Sequence, residues 1–158
     1  MRLLYAALLG LAVGGAPLAG QVVGSVQTKA APNEDQHIAL TQQHRMVSTF
    51  ARRIEIASAG EEEDVRTNTD KLGSALDNAA ASVDALAKVT DSTRVAAIEQ
   101  IRKYQAEARK HYDMLKAEVA KSPMELKQAR THASAVREQS ELAEDVHARM
   151  FKAETPKP

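Results

Sequence analysis

Apolar residues recur along this chain in steps of three and four, and four such runs follow one another. The clearest passes through Leu126, Ala129, Ala133, Val136, Ser140, Ala143, His147 and Met150. Steps that alternate three and four keep one stripe of a helix turned toward partner helices, the seam of a bundle or coiled coil. The same rhythm runs through His37, Leu40, His44, Val47, Ala51, Ile54 and Ser58, flanked by Phe50 and Ala57. It returns in Val65, Thr69, Leu72, Leu76, Ala79, Val83 and Leu86, and again in Ile98, Ile101, Gln105, Ala108, Tyr112, Leu115 and Val119. No stretch alternates apolar and polar positions over a strand length, so the fold class is all-α.

Punctuation between the runs sets the helix ends. Asn33, with Gln36 three residues on, predicts a capping box for the first helix, and Glu34 and Asp35 suit the positive end of its dipole. Gly60 predicts its C′ position. The acids Glu61, Glu62, Glu63 and Asp64 then mark the start of the second helix. Thr90, Asp91, Ser92 and Thr93 are cap-type residues and predict a turn. Ser122-Pro123-Met124-Glu125 combines an N-cap Ser, a Pro at the first helical position and a capping-box Glu, which predicts the start of the fourth helix. The expectation is four helices of about 26 to 30 residues, roughly 40 Å each, filling residues 33–153. Short links make sequence neighbours antiparallel, so the predicted architecture is an antiparallel up-down-up-down four-helix bundle. A helix continuing through Gly60 would instead give a long hairpin. Residues 154–158 read as a frayed tail. Seams rich in Ala, Ser, Thr and Gln bury little apolar area per residue, which predicts modest stability or a partner that adds to it.

Before the first helix the pattern changes. Met1 and Arg2 precede an apolar stretch from Leu3 to Ala16, the layout of a secretory signal. Residues 1–20 are read as that signal, with cleavage between Pro17 and Val22. The alternative is an uncleaved anchor, since Leu3 to Ala19 is just long enough to span a bilayer; Gly10, Gly14, Gly15 and Pro17 weigh against it. Residues 21–32 mix Gly, Ser, Thr, Ala and Pro and read as a flexible leader. The protein is therefore expected to be exported, periplasmic or extracellular, touching a membrane only if the first segment stays uncleaved.

Composition narrows the function classes. The 158 residues suffice for one domain. Basic and acidic residues number 21 each, a balance that argues against a nucleic-acid partner. Without Cys there is no disulfide, thiolate metal site, thiol nucleophile or covalent c-type haem. No phosphate loop, serine elbow or His-Glu-x-x-His motif occurs, so no enzymatic activity is expected.

Candidate chemistry rests on the five histidines, His37, His44, His111, His132 and His147. His37 and His44 are seven apart and share the apolar face of the first helix. His147 holds a seam position on the fourth. In an up-down-up-down bundle the start of the first helix lies level with the end of the fourth, which brings these three to one end. Glu34-x-x-His37 and Glu144-x-x-His147 repeat the unit that places two metal ligands on one inward stripe of di-metal bundles. That class also needs carboxylates from two more helices; Asp84, Asp91 and Glu99 lie near the right level but off the seams. The candidate metal ligands are thus His37, His44, His147, Glu34 and Glu144. Against this stands a plain alternative, that seam histidines near the helix ends simply face water. Met150, one turn from His147, is the methionine placed to join such a site. His111 and His132 should lie at one height across the Ser122 turn, flanking the seam.

In plan, the chain resembles the small periplasmic b-type cytochromes, whose axial ligands come from the first and last helices. The resemblance is one of architecture and covers no motif beyond His147. It implies haem b between helices one and four, although those proteins use a Met on the first helix where this chain offers His37 or His44. These readings predict an exported, non-enzymatic helical-bundle protein that acts by binding, as an interaction or accessory protein of the cell envelope. A protein partner or a homo-oligomer is the expected mode. The alternative is a bundle that binds a transition metal or haem b through helices one and four.

Overall fold

Each three/four run folds as a helix. The computed structural model describes residues 33–154, which form α1 (Glu34–Glu55), α2 (Glu62–Val89), α3 (Val95–Val119) and α4 (Leu126–Glu154), with a single 3-10 turn at Ser92–Arg94 before α3. No strand occurs among the described residues. The expected signal over residues 1–20, the leader over 21–32 and the tail beyond Glu154 lie outside them. Packing is bundle-like: α1 lies against α2 and α4, and α3 against α2 and α4. No helix among the described residues is long and apolar enough to cross a membrane.

The predicted seams are the core. On α1 the buried residues are His37, Leu40, His44, Val47, Ala51 and Ile54. All seven predicted seam residues of α2 are buried, joined by Gly73 and Ala75. Two apolar clusters result. One gathers Val47, Ile54, Leu72, Leu76, Leu115 and Val136 among several alanines. The other gathers Leu40, Val83, Leu86, Ile98, Ile101 and Met150. In sequence, His44 separates Leu40 of one cluster from Val47 of the other on α1, and Ser140 separates Ala143 from Val136 on α4. These two polar seam positions therefore fall at the join.

Helix ends depart from expectation where a tertiary contact supplies what a local cap was expected to supply. Asn33 has a left-handed backbone (φ 71) and its side chain does not cap α1. Its Nδ2 donates instead to the Val89 carbonyl at 3.1 Å, tying the start of α1 to the end of α2. α1 stops at Glu55 after 22 residues, short of Gly60, so Gly60 is a turn residue at φ 94 rather than a C′ cap. The Ala57 carbonyl is taken by the Arg130 guanidinium from α4, and the Glu61 carboxylate accepts the Ser58 N–H at 2.5 Å. Ala57 is buried and Ser58 exposed, which removes Ser58 from the seam. α4 begins at Leu126 rather than after Ser122. There the buried Glu118 carboxylate accepts the Glu125 N–H at 2.9 Å and an ammonium proton of Lys121. The α3–α4 link is thus closed by a side chain from α3 and not by its own Ser.

One glycine is required by close approach. A Cβ on Gly73 would stand 2.2 Å from the Tyr112 hydroxyl oxygen and 2.7 Å from its Cζ. Tyr112 of α3 lies over the bare backbone of α2, with the Arg109 guanidinium 5.3 Å from its ring centre.

Candidate functional site

Contacts between α1 and α4 pair rising numbers on one helix with falling numbers on the other. His37 meets His147, the Ser140 hydroxyl donates to the His44 carbonyl at 3.4 Å, and Arg137 donates to Glu55 at 2.9 Å. This register brings the three seam histidines together. They are 1–2% exposed, so they do not face water.

His37 Nδ1 and His147 Nε2 are 2.8 Å apart, a hydrogen bond in which one nitrogen donates and the other accepts. Their rings are nearly parallel, 14° apart, with centres separated by 5.0 Å. The His44 ring stands edge-on to His147 at 6.2 Å. Phe151 covers His37, its ring centre 4.5 Å away. Phe151 lies four residues after His147 and so shares its stripe; that spacing was the signal that could have placed it in the cluster. Both ring nitrogens of His44 are buried without a hydrogen-bond partner. Leaving a buried polar group unpaired costs about 1–3 kcal/mol, and an apolar side chain at position 44 would not carry that cost.

Burial penalises the charged imidazolium and pushes the His44 pKa down to about 4. His147 is also pushed down to about 4, by burial first and then by the nearby His37 and His44. At neutral pH these two are neutral rings, the form whose nitrogen lone pairs can bind a ligand.

The two predicted carboxylates are not part of the cluster. Glu34 and Glu144 are half-buried, and Glu144 pairs with Arg45 at 3.9 Å. Among the described residues no three His, Asp or Glu side chains are grouped so as to hold a metal ion. Asp84 and Glu99 both engage Arg102, at 2.8 and 2.6 Å, and Asp91 accepts the Thr93 N–H at 2.7 Å. Met150 packs in the apolar cluster with Leu86 and Ile98. His111 and His132 do meet across α3 and α4, with ring centres 6.4 Å apart, both half-buried.

A cleft of about 230 Å³ reaches His37 between Ile38, Thr41, Gln42, Arg45 and Phe151. A haem macrocycle has to pass between its two axial ligands, and rings hydrogen-bonded at 2.8 Å leave no space for one between His37 and His147. Compared with protein-family models, with curated proteins and with solved structures, the chain finds no match in any of the three.

Proposed function

We propose that this chain is an exported, non-enzymatic helical-bundle protein that acts by binding in the cell envelope, with the histidine end of its α1–α4 seam as the binding element. The observation that carries this reading is His44, fully buried with both ring nitrogens unpartnered beside the His37–His147 pair. Packing alone does not call for it, because leucine at that position would fill space without the desolvation cost. Two further points belong to the reading. The helices follow one another up, down, up and down, which the short links and the α1–α4 register support. Export follows from the charged start and apolar core of residues 1–20.

The test is the mass of the protein recovered from the envelope of its native host, sprayed under non-denaturing conditions. The chain should begin between Pro17 and Val22 and carry extra mass, whether a small ligand, a partner or a second copy. A variant with His37→Leu, His44→Leu and His147→Leu should be folded and lack that mass. A full-length chain in the cytosol, or equal bound mass in both proteins, would overturn the proposal.

A further inference from the structure

We infer that the three seam histidines form a latent binding site for one borderline transition-metal ion, which takes the place of the proton now shared between His37 Nδ1 and His147 Nε2. This deepens the proposal above by naming the ligand, and it rests on the histidine end being a binding element.

Geometry comes first. Two imidazole nitrogens bound to one ion at about 2.0–2.1 Å stand about 2.9 Å apart at a right angle and about 3.4 Å apart at a tetrahedral angle. His37 Nδ1 and His147 Nε2 are already 2.8 Å apart. An ion between them asks the nitrogens to separate by about 0.1 to 0.6 Å at those bond lengths, and, because ring centres 5.0 Å apart put the two nitrogens nearly head-on, it also asks both rings to turn until their lone pairs converge on the ion. A third nitrogen is at hand on His44, whose ring centre is 6.2 Å from that of His147 and whose two nitrogens have no other partner. His44 has to turn toward the pair to ligate, and no hydrogen bond of its ring opposes the turn.

Protons balance without a net release. Each neutral ring carries one N–H. In the hydrogen-bonded pair that proton sits on one of the two facing nitrogens. On binding, the donor ring shifts its proton to its other nitrogen, and both facing nitrogens offer lone pairs to the ion. Because His44 and His147 are neutral well below pH 7, no proton has to be displaced from them at neutral pH. Imidazole donors suit Cu²⁺, Ni²⁺ and Zn²⁺, with Cu²⁺ held most tightly. Access runs through the cleft that reaches His37 beside Arg45 and Phe151.

The experiment uses the full mature chain, metal-stripped, near neutral pH, titrated in turn with Cu²⁺, Ni²⁺ and Zn²⁺ and followed by calorimetry, with electron paramagnetic resonance of the Cu²⁺ form. One ion should bind per chain with micromolar or tighter affinity, and the spectrum should count three nitrogens. His147→Ala should weaken binding at least a hundredfold. His44→Leu, which removes a buried polar ring and should fold at least as well as the parent, should weaken binding about tenfold and leave two nitrogens. A double variant, His111→Ala with His132→Ala, should bind as the parent does. The inference fails if no ion binds, if His147→Ala and His44→Leu both bind like the parent, or if the His111→Ala, His132→Ala double variant is the one that loses the ion. Its failure differs from that of the function proposed above. A non-metal ligand on the native protein would sink the metal and leave the binding element standing, whereas tight metal binding in vitro by a protein that is empty in its host would do the reverse.

Discussion

Acid should loosen this bundle at a pH where carboxylates are still ionised, and the cause is His44. In the unfolded chain its imidazole takes a proton near pH 6.5; in the folded seam burial delays that to about 4. Between these values the unfolded state binds more protons than the folded one, so stability rises with pH across the window. Its contribution is fully present above about pH 6.5 and is lost as the pH falls toward about 4. At about 1.4 kcal/mol per unit, the difference amounts to about 3 kcal/mol. His147, pushed down to about 4 by burial and by its two histidine neighbours, adds a loss of similar size in the same window. For a domain worth about 5–15 kcal/mol in total, that is a large fraction. Urea unfolding followed by far-UV circular dichroism at pH about 7.5 and about 4.5 reads it directly. The comparison is with His44→Leu, because carboxylate effects are common to both proteins and cancel. The variant should be at least as stable as the parent at the higher pH and should lose about 2–3 kcal/mol less on acidification. Equal losses in parent and variant would refute the reasoning, since they would mean that His44 takes up its proton in the folded state as readily as in the unfolded one.

Further outcomes follow from the packing. Leu76→Asp puts an unpaired charge at a position only 6% exposed in the larger cluster; a loss of about 4 kcal/mol or more is expected, and a variant that melts like the parent contradicts the α2 register. Gly73→Ala drives a methyl into the Tyr112 ring and should cost about 1–2 kcal/mol despite the better helix propensity of alanine. Tyr112→Phe should recover part of that loss in a double-mutant cycle, and strictly additive effects would show that the two do not touch. Arg137→Ala removes the link to Glu55 and Glu141, a partly exposed network whose loss should lower stability by about 1 kcal/mol, less in high salt.

Seam positions were legible because they depend on helix period alone. Val47, Ile54, Leu72, Leu115 and Val136 are buried where their spacing puts them, and the polar entries His37, His44, Thr69, Ser140 and His147 are buried with them. Helix ends were less legible where a side chain from another element decided them, whereas the turn at Thr90 to Thr93, capped locally by Asp91, falls where its residues put it. Asn33 has the right chemistry for a cap, but the Val89 carbonyl is its partner. The capping-box reading of Ser122 failed for a similar reason, as Glu118 reaches across the link to the Glu125 N–H. The need for Gly73 carries no local signal, since it is set by Tyr112 of α3 lying over it. At the site, the meeting of His37, His44 and His147 followed from level and face. The acid partners Glu34 and Glu144 did not follow, since spacing of three residues puts a side chain on a neighbouring stripe but does not bury it, and Arg45 competes for Glu144. The hydrogen bond between His37 and His147 depends on how far α4 is shifted along α1, a quantity that no local pattern encodes.

His44 and His147 are held as neutral rings beside His37 in the buried seam, and a long-range ¹H–¹⁵N histidine spectrum of the full mature chain tests this most directly. Recorded from neutral pH down to about 4.5, it should show His44 and His147 remaining neutral well below the ordinary histidine value of about 6.5, and one proton shared between His37 Nδ1 and His147 Nε2. Added Zn²⁺ should move nitrogens of all three rings and leave His111 and His132 in place. His44 and His147 titrating near the ordinary value, with no response to Zn²⁺ at His37, His44 or His147, would contradict the account.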